Sequence, residues 1–155
     1  MMNKTAIIGI GNPLMQDDGI GIILLEKLKN NNSISKKVDL LDGGTGGINL
    51  IHDLSKYKII IFLDAVKMGE KPGETIFFNI SEINSKKKDF SFSTHEQDLL
   101  KIIKISDKIN KNDNEIYVYA IQPKDTSFGQ ELSEPLKQKL DDIYMRLVEK
   151  INMLF

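Results

Sequence analysis

The sequence predicts an α/β fold: three layers, α/β/α, around a mainly parallel, twisted five-stranded sheet with helices on both faces. Three observations predict it. Short apolar runs ending in Gly or Asp alternate with stretches whose apolar residues recur every three or four positions. That is the pattern of strands feeding right-handed crossover helices. The run Lys58-Ile59-Ile60-Ile61-Phe62-Leu63-Asp64 is apolar on both faces, as a strand buried between two helical layers requires. No repeat, low-complexity segment or linker interrupts the 155 residues, so positions 1–155 read as one domain, long enough to bury a core.

The elements follow in order. Thr5 to Gly9 is the first strand. From Gly19 to about Lys29, Ile20, Ile23, Leu24 and Leu28 mark one face of a helix. Val38 to Leu41 is a second strand, running into Asp42-Gly43-Gly44-Thr45-Gly46-Gly47. Ile48, Ile51 and Leu54 mark a short helix. Lys58 to Asp64 is the third strand. After the turn Lys71-Pro72-Gly73, Glu74 to Ile80 is a fourth, and its short connection to the third makes it a candidate antiparallel edge. Ser85 to Phe92 is polar and lysine-rich. Thr94 to about Ile109 is helical, and Glu115 to Ile121 is a fifth strand. A last helix opens near Ser133-Glu134-Pro135, with Ser as N-cap and Pro in the first turn. Its apolar face is Leu136, Leu140, Ile143, Leu147, Ile151 and Leu154.

Composition narrows the function. Formal net charge is -1, so no global field draws the chain to nucleic acid or anionic lipid. Arg146 is the sole arginine among 21 basic residues, poor stock for bidentate phosphate or base reading. Cysteine is absent, which excludes disulfides, a thiolate nucleophile and zinc-finger ligation. The N-terminal apolar stretch is too short for a signal sequence or a membrane span. A cytoplasmic, monomeric enzyme or binding domain is expected, with no nucleic-acid or membrane partner.

The chemistry concentrates in Gly11-Asn12-Pro13-Leu14-Met15-Gln16-Asp17-Asp18-Gly19-Ile20-Gly21. Phosphate-binding turns offer bare N–H groups at this position, and two carboxylates would repel a phosphate. The turn therefore points to cations. In open α/β sheets, sites form beyond the carboxyl ends of strands. With strands one and three adjacent, Asp18 and Asp64 reach one crevice, and His95, opening a helix at the sheet edge, can join them. Two carboxylates and an imidazole suit an open site for a borderline divalent ion. Each residue alone has a plainer explanation. Asp18 complements a helix N-terminus, Asp64 accepts turn N–H groups, and His95 follows the caps Ser93 and Thr94 on the surface. Asp17 either faces solvent or orients the turn, while Asp18, next to Gly19, points inward. Asp42 at the second strand's end is either a fourth crevice acid or, the preferred reading, the cap of the next helix, and His52 is solvated. Gly9-Ile10-Gly11-Asn12 lacks the third glycine of a dinucleotide fingerprint, Gly43 to Gly47 lacks the Lys of a P-loop, and no nucleophile elbow occurs.

At these residues the chain resembles the endopeptidases that mature nickel-iron hydrogenases. The ordered set comprises Gly11-Asn12, Asp17-Asp18-Gly19-Ile20-Gly21, Asp42-Gly43-Gly44, Leu63-Asp64-Ala65-Val66, Met68-Gly69, Pro72-Gly73-Glu74, Ser93-Thr94-His95 and Ile121-Gln122-Pro123. Met68-Gly69 and the stretch from Pro135 through Tyr144 and Arg146 are most similar to the hydrogenase 3, formate-hydrogenlyase branch. Asp98 and the lysine-rich loop before His95 depart from the pattern. The resemblance implies a hydrolase, an aspartyl-type endopeptidase that trims the C-terminal extension of a hydrogenase large-subunit precursor once nickel is installed. It implies Asp18, Asp64 and His95 as both metal-contacting and catalytic residues, with nickel carried by the substrate and zinc or cadmium able to occupy the site in vitro. The contrasting expectation is a flavodoxin-like module that binds a metal-bearing partner without cutting it.

Overall fold

The computed structural model describes residues 4–44, 54–85 and 114–155. Strand β1 (Thr5–Ile10) is followed by a 3-10 turn (Gln16–Gly19), helix α1 (Ile20–Lys29), a short α2 (Asn32–Ser35), β2 (Asp39–Gly44) and β3 (Ile59–Ala65). Then come β4 (Thr75–Asn79), a short α3 (Ile80–Ser85), β5 (Glu115–Ile121) and a long α4 (Glu134–Met153). The expected helices over 48–54 and 94–109 fall almost wholly outside the described residues; Leu54 alone is described, and it is buried.

The five strands form one sheet in the order β2-β1-β3-β5-β4. β1 lies parallel to both β2 and β3, and β3 is parallel to β5. The expected adjacency of the first and third strands is therefore present, with Ile7 opposite Ile61 and Gly9 opposite Leu63. β4 is the antiparallel edge, but its partner is β5 rather than β3. Both sides of β3 are already taken by β1 and β5, so the connection after β3 must cross the end of β5. Gln122 shapes that crossing. Its buried side-chain oxygen accepts the N–H groups of Met68 (2.6 Å) and Glu70 (3.3 Å). Its own backbone N–H donates to Glu74 O at 2.9 Å, and its carbonyl accepts the Gly73 N–H at 2.8 Å. β4 also ends one residue short of expectation, because Ile80 already starts α3 and sinks its side chain into the core.

The sheet buries both faces, as its uninterrupted apolar strands require. On one face Ile7, Ile61, Leu63, Tyr119 and Ile121 meet Ile20, Leu24 and Leu28 of α1 and Leu136, Ile143, Leu147 and Ile151 of α4. On the other, Ile8, Ile60, Phe62 and Val118 meet Leu54, Tyr57, Met68, Phe78 and Ile80. Alternation along β3 puts Asp64 on the same side as Ile60 and Phe62. No helix among the described residues is long and apolar enough to cross a membrane.

Candidate active site

The site is built where β1 and β3 end. After Ile10 the chain turns sharply at Gly11, whose φ of 140° and lack of a side chain are both needed, since a Cβ there would lie 1.9 Å from Asp18 O. Asn12 organises the turn. Its side-chain oxygen accepts the Leu14 N–H at 3.0 Å and its carbonyl accepts the Met15 N–H at 3.0 Å. Its own N–H donates to Asp18 Oδ2 at 2.9 Å, so the Asp18 carboxylate folds back over the strand end, half-buried.

Gly21 then lets α1 lie directly on the sheet. A Cβ at this position would sit 2.2 Å from the Leu63 carbonyl oxygen and 2.6 Å from that of Ile10. Leu63 precedes Asp64, and the 3-10 turn carrying Asp18 packs against β3. Asp64 is opposite Ala120 of β5 and only 2% exposed. Asp18 and Asp64 thus come from a turn and a strand end that pack together at one mouth of the sheet. His95 lies outside the described residues, as does His52. Among the described residues no group of three or more His, Asp or Glu side chains is arranged to hold a metal ion. Two oxygen donors at this mouth match part of the expected set, and the imidazole would have to supply the rest.

Asp17 orients the turn, and the solvent-facing alternative is wrong: the residue is 0% exposed. Its Oδ2 accepts N–H groups from Lys124 (2.8 Å) and Asp125 (3.0 Å) and the Ser133 hydroxyl (2.7 Å). Its Oδ1 accepts the Ser133 N–H at 2.8 Å. Its backbone N–H donates to Asp125 O at 3.0 Å. A buried carboxylate costs free energy unless such donors surround it. It is thus Asp17, more than Asp18, that points inward. The same contact overturns part of the capping expectation. Ser133 stands at the N-cap of α4 with extended dihedrals, but its hydroxyl serves Asp17 and makes no cap hydrogen bond. The rotamer that aims the hydroxyl at the buried Asp17 carboxylate does not bring its oxygen to a first-turn N–H, and Pro135 has already removed one of the N–H groups a cap would satisfy.

Asp42 accepts the Gly44 N–H at 2.8 Å, a local turn bond; the helix it was expected to cap is outside the described residues. In the loop after β5, the Ser127 hydroxyl and N–H donate to Asp125, at 2.6 and 2.9 Å, and hold its carboxyl below the ordinary range. Burial pushes the Tyr119 phenol up to about 12, and its hydroxyl donates to the Ile143 carbonyl at 2.8 Å, tying β5 to α4. Turn orientation was one of the two roles expected for Asp17, but its burial against the loop after β5 and the role of Gln122 escaped the sequence reading. The available signal was an acid set among glycines in a turn that must be buried beneath a helix start.

Comparison with known proteins places this architecture. The family model described as HycI, hydrogenase maturation protease, matches residues 22–150. The chain is 29% identical over 146 residues to the hydrogenase 3 maturation protease of Escherichia coli K12, covering 91% of this chain and 86% of that one. It is 26% identical over 139 residues to the hydrogenase expression/formation protein HupD of Bradyrhizobium diazoefficiens, covering 89% of this chain and 72% of that one. It spans 61 to 66% of the length of three further relatives of the HupD, HoxM and HupM type. Among solved structures, the nickel-iron hydrogenase maturation protease HybD of Thermococcus kodakarensis superposes with a TM-score of 0.74 at 26% identity, covering 96% of this chain and 98% of that one.

Proposed function

The chain belongs to the hydrogenase maturation protease family, and from that premise we propose that it is the endopeptidase that removes the C-terminal extension of a nickel-iron hydrogenase large-subunit precursor after nickel insertion. The observation that carries the reading is the packing of the Asp18 turn against the end of β3, where Asp64 stands nearly enclosed. Two carboxylates at one mouth can meet a cation presented by a partner, and His95 is the third donor in this reading. The nickel belongs to the substrate, so a precursor without it offers these side chains nothing to grip. A shared contact worth several kcal/mol would make insertion a checkpoint, since about 1.4 kcal/mol is tenfold in affinity.

The peptide bond is cut by water. One carboxylate of the site takes a proton as the oxygen attacks the carbonyl carbon, the C–N bond breaks, and the leaving amine takes up a proton. With no cysteine in the chain and no Ser–His–Asp pattern, an acyl-enzyme has no evident nucleophile. The apolar faces of α1 and α4 are spent on the sheet, which supports a monomer. A formal net charge of only -1, which draws the chain to no anionic surface, supports action in the cytoplasm on a soluble precursor.

The test mixes purified protein with nickel-loaded and nickel-free precursor and follows mass loss by mass spectrometry. Cleavage of the loaded form alone is expected. Equal cleavage of both refutes the checkpoint, and no cleavage of either refutes the assignment.

A further inference from the structure

We propose that Leu14 and Phe128 form an apolar docking surface for the stretch of precursor polypeptide next to the scissile bond. The inference rests on the function proposed above and adds where the substrate chain lies. Five large apolar side chains stand exposed among the described residues. Met145 and Met153 lie on α4, and Phe155 follows it. The other two, Leu14 at 48% and Phe128 at 79% exposure, come from segments far apart in sequence that meet at the site.

Their segments are bridged by backbone hydrogen bonds at Gly129, the residue after Phe128. The Gly129 N–H donates to Leu14 O at 2.8 Å, and the Gln16 N–H donates to Gly129 O at 2.9 Å. The Gln16 side chain lies across Gly129, where a Cβ would meet its Cγ at 2.8 Å, and its amide donates to the Ser127 hydroxyl at 3.1 Å. Gln16 is held at φ 49°, the one positive-φ non-glycine residue among those described. Such a conformation persists only where surrounding contacts fix it. Asp17 adds its four hydrogen bonds immediately beside this seam. The loops 12–17 and 124–133 are thereby one rigid body.

That body is continuous with the candidate site. Leu14 sits between Asn12, whose N–H binds the Asp18 carboxylate, and Met15, whose carbonyl accepts the Asp18 N–H at 3.1 Å. Two apolar side chains carried into solvent on a hydrogen-bonded backbone, a few residues from a catalytic carboxylate, suit a chain that must be laid across the mouth in one register. Aromatic side chains are enriched at interfaces, and a backbone already held in place lowers the cost of ordering on binding. The occupant is apolar side chains of the precursor's cleavage segment.

The test measures binding and processing of nickel-loaded precursor by the wild type, Leu14→Ser, Phe128→Ser, the double variant and the control Met153→Ser. Both target residues are exposed, so the thermal midpoint checks that the fold is kept. Phe128→Ser is expected to weaken binding about tenfold, as loss of a hot-spot aromatic does, and the double variant more. Processing at subsaturating precursor should fall in parallel, while Met153→Ser behaves as wild type. A double variant that binds and cleaves within about twofold of wild type, well below a hot-spot loss, overturns the docking surface alone. A wild type that neither binds nor cleaves the precursor overturns the proposed function and this inference with it.

Discussion

Asp17→Asn isolates the buried carboxylate while preserving its shape. The native group accepts four hydrogen bonds, three of them from backbone N–H groups. Asparagine offers one acceptor oxygen and one donor amide. With its oxygen facing Lys124 and Asp125, the amide points at the Ser133 N–H, donor against donor. With the opposite rotamer, two N–H groups lose their acceptor instead. One stranded buried N–H costs about 1–3 kcal/mol. The surviving bonds fall from charge-assisted to neutral, losing roughly half their strength. Removing the charge also relieves its desolvation, which trims the total. A net loss of about 3 kcal/mol follows, a large share of the roughly 5–15 kcal/mol that holds a domain together. With a urea m value of about 2 kcal/mol/M, the unfolding midpoint drops by about 1.5 M. Equilibrium unfolding followed by far-UV circular dichroism reads this directly. Hydrogen exchange should show the Lys124, Asp125 and Ser133 amides losing protection together. A midpoint shift under about 0.3 M, equivalent to well under 1 kcal/mol, would refute the argument that this carboxylate clamps the two loops.

Asp64→Asn and Asp18→Asn should each cut precursor processing by at least about a hundredfold, the scale of losing an acid-base or electrostatic group, with the thermal midpoint little changed; wild-type rates in either would remove that residue from the site. Gly21→Ala forces a methyl into the Leu63 and Ile10 carbonyls and should cost about 2–3 kcal/mol, or prevent folding, so a neutral midpoint shift would contradict the close approach of α1 to β3. The Tyr119 phenol, raised to about 12 from an ordinary value of 10.0, makes stability pH-dependent in alkali. The unfolded chain loses this proton first, so stability is intact below pH 10 and falls through the window up to about 12, by roughly 2–3 kcal/mol at about 1.4 kcal/mol per unit. Tyr119→Phe should flatten that part of the profile, while an unchanged slope would show that the phenol is not responsible.

Much of the architecture was legible because it is written in local pattern. An apolar run such as Ile59 to Leu63 fits only a strand covered on both faces, and the spacing of Leu136, Ile143, Leu147 and Ile151 fits only a helix lying on that sheet. The acids flanking those strands suggested a cation site by their chemistry, and the ordered motifs pointed to the family. What the linear pattern could not carry was competition between distant groups. β4 pairs with β5 because both neighbours of β3 are already occupied. Ser133 makes no cap bond because its hydroxyl is aimed at a carboxylate more than a hundred residues earlier. Asp17 and Asp18, adjacent and chemically alike, diverge because the loop after β5 clamps Asp17 while Asp18 turns back to accept the Asn12 N–H. Residue type and periodicity, acting over a few positions, determined the elements, and the ordered motifs determined the family. Which carboxylate is buried, and which loops are bound into one body at the mouth, was decided only by tertiary packing, because the donors that make a buried charge tolerable come from the far end of the chain.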